Sequence, residues 1–322
     1  MNTSISANTK SILLLTAPLM TGRGESSSSM LTPREYNRLE TSLRNQGSQP
    51  ADLLEGDFAE LIKGCGADLE RLERLLSRSF ILSEVIERWE SRAMWVVSRE
   101  DSAYPRRLKD RLKEHAPALL YGCGDQMILE DGGLAIVGSR NVDDALIEST
   151  KDIGRLAAES HCIVFSGAAR GIDQAAMLGA LEAGGKVGGV MADSLERAAV
   201  AREHREFLME QRLVLVSPYD PAAGFNVGHA MQRNKLIYAL ADAALVMSSD
   251  FEKGGTWAGA VEQLKKLRFV PVFVHESRDK SEGLEALKRM GALIWPDSRT
   301  PEAFAEALTV ENGAAEERLL FT

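Results

Sequence analysis

Four polar loops follow one another between Leu134 and Val274, and each carries residue types that hold phosphate. They are Gly138-Ser139-Arg140, Ser166-Gly167-Ala168-Ala169-Arg170-Gly171-Ile172-Asp173, Arg233-Asn234-Lys235 and Gly254-Gly255-Thr256. Glycine lets backbone N–H groups approach an anion, hydroxyls add donors, and the arginine fork matches phosphate oxygens. The first, second and fourth loops trail an apolar run and lead into an amphipathic stretch. An open parallel α/β sheet builds a phosphate site in this way, with helix N-termini brought to one edge. The expected chemistry is binding of something phosphorylated, either a nucleic-acid backbone or a nucleotide.

Each loop also has a plainer reading. Gly138-Ser139-Arg140 serves equally as a tight turn with a surface arginine. Gly167 and Gly171 are four residues apart, which is not the Gly-x-Gly-x-x-Gly spacing, and no Gly-Lys-[Ser/Thr] follows, so a nicotinamide enzyme and a P-loop ATPase are disfavoured. Asp173 either contacts the ligand region or caps a helix. Arg233-Asn234-Lys235 is either a phosphate clamp within one helical turn or a solvated face. Thr256 either donates to phosphate or caps a helix. Glu262, six residues on, lies about two turns further along and either faces the same cleft or pairs with Lys265 or Lys266.

These loops need a scaffold, and the surrounding pattern supplies one. Short apolar runs stand at Leu134–Val137, Ile163–Phe165, Val187–Val190, Val214–Val216, Ala244–Met247 and Val270–Val274. Between them lie stretches of helical pattern at Asp144–Ser160, Asp173–Ala183, Ala199–Gln211, Met231–Leu240 and Thr256–Leu267. The alternation predicts an α/β fold, a Rossmann-like doubly wound mostly parallel sheet, with a small helical N-terminal domain. Four units are expected: residues 1–30, an N-terminal extension whose Ile12–Leu15 run is a short strand; 31–94, helical; 95–278, the core; and 279–322, a C-terminal extension. Thr32-Pro33-Arg34-Glu35 reads as a helix start, and Trp95–Val97 and Leu119–Tyr121 as strands flanking a basic helix. Residues Thr21–Ser28 read as a polar linker, and those after Asn312 as loosely held.

Bulk properties narrow the function class. Apolar content of 44% and charged content of 26% are those of an ordinary globular protein. The net charge of −9 argues against coating duplex DNA by positive charge, yet a local basic groove on an acidic body remains compatible with it. Cys65, Cys123 and Cys162 form no C-x-x-C pair, so neither a disulfide framework nor a zinc site is expected, and a reduced cytoplasm fits. The Ile12–Met20 segment is too short to span a bilayer. His115, His161, His204, His229 and His275 are scattered without metal-ligand spacing, and only His229 stands near a candidate loop. No catalytic constellation, metal or cofactor is expected.

Taken together, Ala135–Arg140, Phe165–Asp173, Gly184-Gly185, Arg233-Asn234-Lys235 and Gly254-Gly255-Thr256 resemble the DprA/Smf family of DNA-processing proteins. Asp101–Leu108 and Pro117–Gly124 are similar to the approach to that family's core, so the likeness spans roughly residues 95–275. The resemblance implies a non-enzymatic protein that binds single-stranded DNA in a basic pocket and helps load RecA during recombination or uptake. It also implies a homodimer. By motif it assigns phosphate contacts to Gly138, Ser139, Arg140, Ser166, Gly167, Arg170, Gly171, Arg233, Asn234, Lys235, Gly254 and Thr256, to which Asp173 and Gly255 are added from the loops themselves. Departures mark a divergent subgroup. Met177 follows Ala176 where the family has histidine, the fourth loop is Gly-Gly-Thr rather than Ser-Gly-Ser, and no winged-helix module is evident after Pro301. Few aromatics stand beside the basic loops in sequence, which leaves base stacking without an evident platform. The competing resemblance is to the LOG-type nucleotide phosphoribohydrolases, through Arg233, Lys235, Gly254-Gly255-Thr256 and Glu262. It implies a hydrolase or a nucleotide sensor, in phage defence for instance, although three residues beyond Thr256 stands Gly259 rather than glutamate.

Overall fold

Short apolar runs bounded by glycine, proline and polar turns, and alternating with stretches of helical pattern, favour strands. The computed structural model describes residues 5–19, 30–55, 59–62, 68–276, 281–296 and 300–308. The expected linker at Thr21–Ser28 and the segment after Asn312 lie outside the described residues. In chain order the first elements are α1 (Ala7–Thr16), α2 (Pro33–Asn45), α3 (Leu69–Leu76), α4 (Ser79–Glu90), β1 (Met94–Ser98), α5 (Arg106–Leu112) and β2 (Leu119–Gly124). Then come β3 (Leu134–Val137), α6 (Asp144–Glu159), β4 (Val164–Ser166), α7 (Ile172–Glu182), β5 (Val187–Val190), α8 (Leu195–Ala199), α9 (Arg202–Met209) and β6 (Leu213–Ser217). The chain continues with α10 (Val227–Leu240), β7 (Ala243–Val246), α11 (Gly254–Glu262), β8 (Val272–Val274), α12 (Glu282–Arg289) and β9 (Leu293–Ile294), and residues 301–308 are helical.

Among the described residues nine strands form one sheet in the order β1-β2-β6-β5-β4-β3-β7-β8-β9. β1 pairs antiparallel with β2, and β2 antiparallel with β6; every other pairing is parallel. Alternate strand residues feed two cores. Leu134, Ile136, Val164 and Leu245 face α6, α7 and the N-terminal helices, whereas Ala135, Val137, Phe165 and Val246 face α5, α10 and α12. The sheet is thus doubly wound and mostly parallel, as its pattern predicted. No described helix is long and apolar enough to cross a membrane.

The expected strand at Ile12–Leu15 is instead part of the C-terminal half of α1. A four-residue apolar run does not by itself tell strand from helix, and the deciding signals lie at its ends. The Ser6 side chain caps the helix by accepting from the Thr9 N–H, and Ala17, before Pro18, is extended. Every residue from Ile12 to Leu15 is buried, as in a helix enclosed on all sides. Arg78 closes its end by donating to the carbonyls of Leu14 and Ala17. The Thr32 start is as expected: its hydroxyl accepts from the Glu35 N–H while Glu35 accepts from the Thr32 N–H at 2.7 Å.

Two features position the loops. First, α10 begins at Val227 rather than Met231, because the Asn226 side chain accepts from the His229 N–H and caps it. Its far end is closed by α5, where Arg111 donates to the Ala239 carbonyl at 3.0 Å and to that of Ala241. Second, α6 and α7 pack backbone to backbone. A Cβ on Gly179 would overlap the Lys151 carbonyl, and one on Gly154 the Ala176 carbonyl. Alanine normally gains about 1 kcal/mol over glycine within a helix. Here Gly179→Ala is expected instead to lose about 1–3 kcal/mol by overpacking, read as a lower urea midpoint. A higher midpoint would show that the two helices have room to spare.

Candidate functional site

β3 lies between β4 and β7, so the chain leaves it toward opposite sides of the sheet. A crevice opens where the strand order reverses, at the carboxyl ends of the strands. The loops after β3, β4 and β7 all reach this edge, and α10 runs alongside.

The residues there divide into those that bind the loops to one another and those that face outward. Asp173, in the first turn of α7, lies beneath the loops and is 6% exposed. Its carboxylate accepts hydrogen bonds from the backbone N–H groups of Ala169, Gly138 and Gly167. Burial pushes its pKa up, and Arg233 and these N–H groups pull against that. Asp173 and Ser166, both expected among the phosphate contacts, are therefore internal. The Ser166 hydroxyl is fully buried and donates to the Ile136 carbonyl at 2.6 Å. The N-terminus of α7 is also occupied internally, since the N–H groups of Ile172 and Gln174 meet the carbonyls of Ser139 and Ala169.

Further bonds lace the fourth loop to its neighbours. Thr256 donates its hydroxyl proton to the Gly138 carbonyl at 2.9 Å, and the Asn234 amide donates to the Gly255 carbonyl at 3.0 Å. The Ser139 N–H meets the Ser248 hydroxyl at 2.9 Å. Gly171 adopts φ +84°, and a Cβ there would crowd the carbonyls of Ser139 and Arg140, so only glycine fits. Lys235 pairs with Glu262 at 3.2 Å, which places Glu262 on a partner other than Lys265 or Lys266.

What faces outward is cationic. Arg140 and Arg170 are exposed, and neither forms an ion pair among the described residues. Arg233 is different. It projects from the middle of α10, is only 5% exposed, and its Nε and Nη1 are buried without a hydrogen-bond partner. It lies against Gly167, where a Cβ would overlap the guanidinium. Burial lowers its pKa; Asp173 opposes that and Arg140 adds to it. A buried guanidinium with idle donors is costly unless an anion completes it. The start of α11 at Gly254 has no side-chain cap, so its first N–H groups stand on the same edge.

Aromatic residues also gather here, which the sequence did not disclose. Phe225 is 59% exposed, and the Arg140 guanidinium lies over its ring at 5.3 Å. Tyr219 and His229 stack at 3.8 Å with their planes 7° apart, and Tyr219 is an electrostatic neighbour of Arg233. The signal available in sequence was an aromatic residue set directly before the Asn226 cap.

A family model for DNA recombination-mediator protein A matches residues 95–306. Among curated proteins, DNA processing protein DprA of Streptococcus pneumoniae is 27% identical over 248 residues, covering 76% of this chain and 84% of that protein. DprA of Bacillus subtilis is 27% identical over 157 residues, 48% of this chain and 52% of its own. Among solved structures, the Streptococcus pneumoniae DprA superposes with a TM-score of 0.69 at 19% identity, covering 94% of this chain and 98% of that one. A Helicobacter pylori DprA, described for its single-stranded-DNA binding mode, gives 0.55 at 25% identity over 68% of this chain and 96% of that one.

The internal role of Asp173 has a measurable size. Asp173→Ala strands buried N–H donors and leaves Arg233 without its opposing charge. The expected cost is about 3 kcal/mol or more, from urea unfolding. A loss below about 1 kcal/mol would mean that the loops after β3 and β4 hold together without the carboxylate.

Proposed function

This chain belongs to the DNA recombination-mediator protein A family, and from that premise we propose that it is a DNA-processing protein that holds single-stranded DNA across the carboxyl edge of its sheet. One observation carries the reading: the buried guanidinium of Arg233, whose Nε and Nη1 have no hydrogen-bond partner, is an electrostatic neighbour of exposed Arg140, which lies over the exposed ring of Phe225. Arg233 supplies donors for one phosphate, with the N-terminus of α11 beside it. Arg140 and Arg170 supply solvent-facing charge for the neighbouring backbone. Phe225 offers a ring face that an unstacked base can reach and a paired base cannot. Phosphate contacts of this kind track a strand without reading its sequence.

The protein acts in this reading by binding, not by chemistry. The hydrolase alternative needs a carboxylate at the pocket, and Glu262 is engaged with Lys235. On family likeness alone we extend the reading to a cytoplasmic homodimer that passes its strand to RecA.

Fluorescence anisotropy on labelled oligo-dT at several salt concentrations tests the site. Arg140→Ala is expected to weaken binding and to reduce the salt slope by about 0.7, the share of one phosphate on a single strand. Phe225→Ala is expected to cost about 1–3 kcal/mol with the slope unchanged, as loss of stacking does. Displacement of the strand by a nucleoside monophosphate would overturn the reading in favour of a nucleotide sensor.

A further inference from the structure

The first turns of α10 project beyond the helix packed beside it. α10 and α11 both start at the carboxyl edge of the sheet. They meet from Asn234 onward, where the Asn234 amide donates to the Gly255 carbonyl at 3.0 Å and a Cβ on Gly259 would touch the side chains of Asn234 and Tyr238. α11 begins at Gly254, whereas α10 begins at Val227. The residues of α10 before Asn234 therefore reach past the start of α11 by about 10 Å at the rise of a helix.

The face that projects is apolar. Positions 227, 231, 234 and 238 fall on one side of a helix, three or four residues apart. Asn234 and Tyr238, lower on that side, pack on α11. Val227 and Met231, higher on it, are 64% and 44% exposed. Phe225, directly before the Asn226 cap, is exposed too. No other stretch of seven described residues exposes more than one large apolar side chain. A surface helix ordinarily buries its apolar stripe and turns polar residues to water. Here the amide is enclosed and the valine and methionine face solvent. Neither the cap nor Arg233 accounts for this. The cap works through the Asn226 side chain, and Arg233, two residues beyond Met231, points about 200° around the helix, against Gly167.

The surroundings select an occupant for this face. The Arg140 guanidinium lies over the Phe225 ring at 5.3 Å, so cationic site and apolar face share a border. An anionic backbone held at that border carries its bases alongside, and an unpaired base offers a flat ring face that apolar side chains can cover. A length of about 10 Å takes about three bases at the stacked spacing of about 3.4 Å. A second copy of the chain is the poorer match. A two-fold contact sets a surface against itself, which would bring a border carrying Arg140 against a surface carrying the same cation.

We propose that the projecting face of α10 is a base-contact surface, on which Val227 and Met231 cover unpaired bases of the strand whose phosphates lie at Arg140 and Arg233. The proposal rests on the single-strand reading above and extends it from the backbone to the bases. Apolar contacts of this kind accept any base and exclude one that is paired.

The test compares labelled oligo-dT with a strand of equal length whose nucleotides are all abasic, which keeps the phosphates and removes the bases. Val227→Ser with Met231→Gln is measured against wild type in the full chain, with thermal unfolding to confirm that it folds. Wild type is expected to prefer oligo-dT. The double variant is expected to bind oligo-dT about tenfold more weakly with the salt slope unchanged, and the abasic strand as wild type does. Unchanged binding of oligo-dT, or equal losses on both strands, overturns the base surface and leaves the phosphate site standing. Sedimentation of both proteins is expected to give one oligomeric state. A smaller species in the variant overturns the proposal and assigns the face to a second copy. Absence of wild-type binding to either strand overturns the parent reading and this one with it.

Discussion

Asp173 and Arg233 approach one another over Gly167, and the loops of the site are arranged around that approach. The carboxylate gathers N–H groups from the loops after β3 and β4, which brings those loops to a common level. The guanidinium arrives from α10 on the opposite face of the sheet. Its charge offsets part of the cost of the buried acid, and the acid offsets part of the cost of the buried base. Glycine at position 167 is what lets them come so near, since any side chain there would displace one or the other. Opposite charges buried in this way are mutually dependent, because each alone would be an uncompensated ion in a dry place.

The architecture was legible because strand runs and caps are local. The β3 to β8 runs announced themselves through short apolar lengths between glycine and polar turns, and the Thr32 start through its Glu35 partner. α1 was not legible from Ile12–Leu15 itself, since that run fits either element and the signal that decides it, the Ser6 cap, stands six residues earlier. At the site, residue types were readable and their directions were not. A glycine-rich turn can aim its N–H groups at solvent or at a side chain of its own, and Asp173 turns Gly138, Gly167 and Ala169 inward. Ser166 likewise has a hydroxyl suited to a ligand and uses it on Ile136. Phe225 lay hidden for a related reason. Whether a phenylalanine is core or platform depends on what the fold places over it, and here that is Arg140.

The helical segment is tied to the sheet by contacts that also fix the edge geometry. Arg99 after β1 pairs with Glu40 of α2 at 2.7 Å in a buried setting, and Asp101 accepts from Ser6 at the start of α1. With Arg88 and Arg92 meeting Glu196, these contacts place α4 beside the loops that follow β5 and β6. The segment and the sheet also share one apolar core, running from α1 through Trp89 to Tyr121, where two aromatic rings meet edge to face at 5.2 Å.

The clamp on the far end of α10 bears on the kinetics of recognition. Arg111 holds the terminal carbonyls of the helix that carries Arg233, Asn234 and Lys235 near its middle, so these side chains ride on a rod fixed at both ends. Little ordering is left to be done when a ligand arrives, and the entropy of arranging the site is spent during folding. Encounter should then be governed by diffusion and the local field, while differences in strength between ligands reside in how slowly they leave.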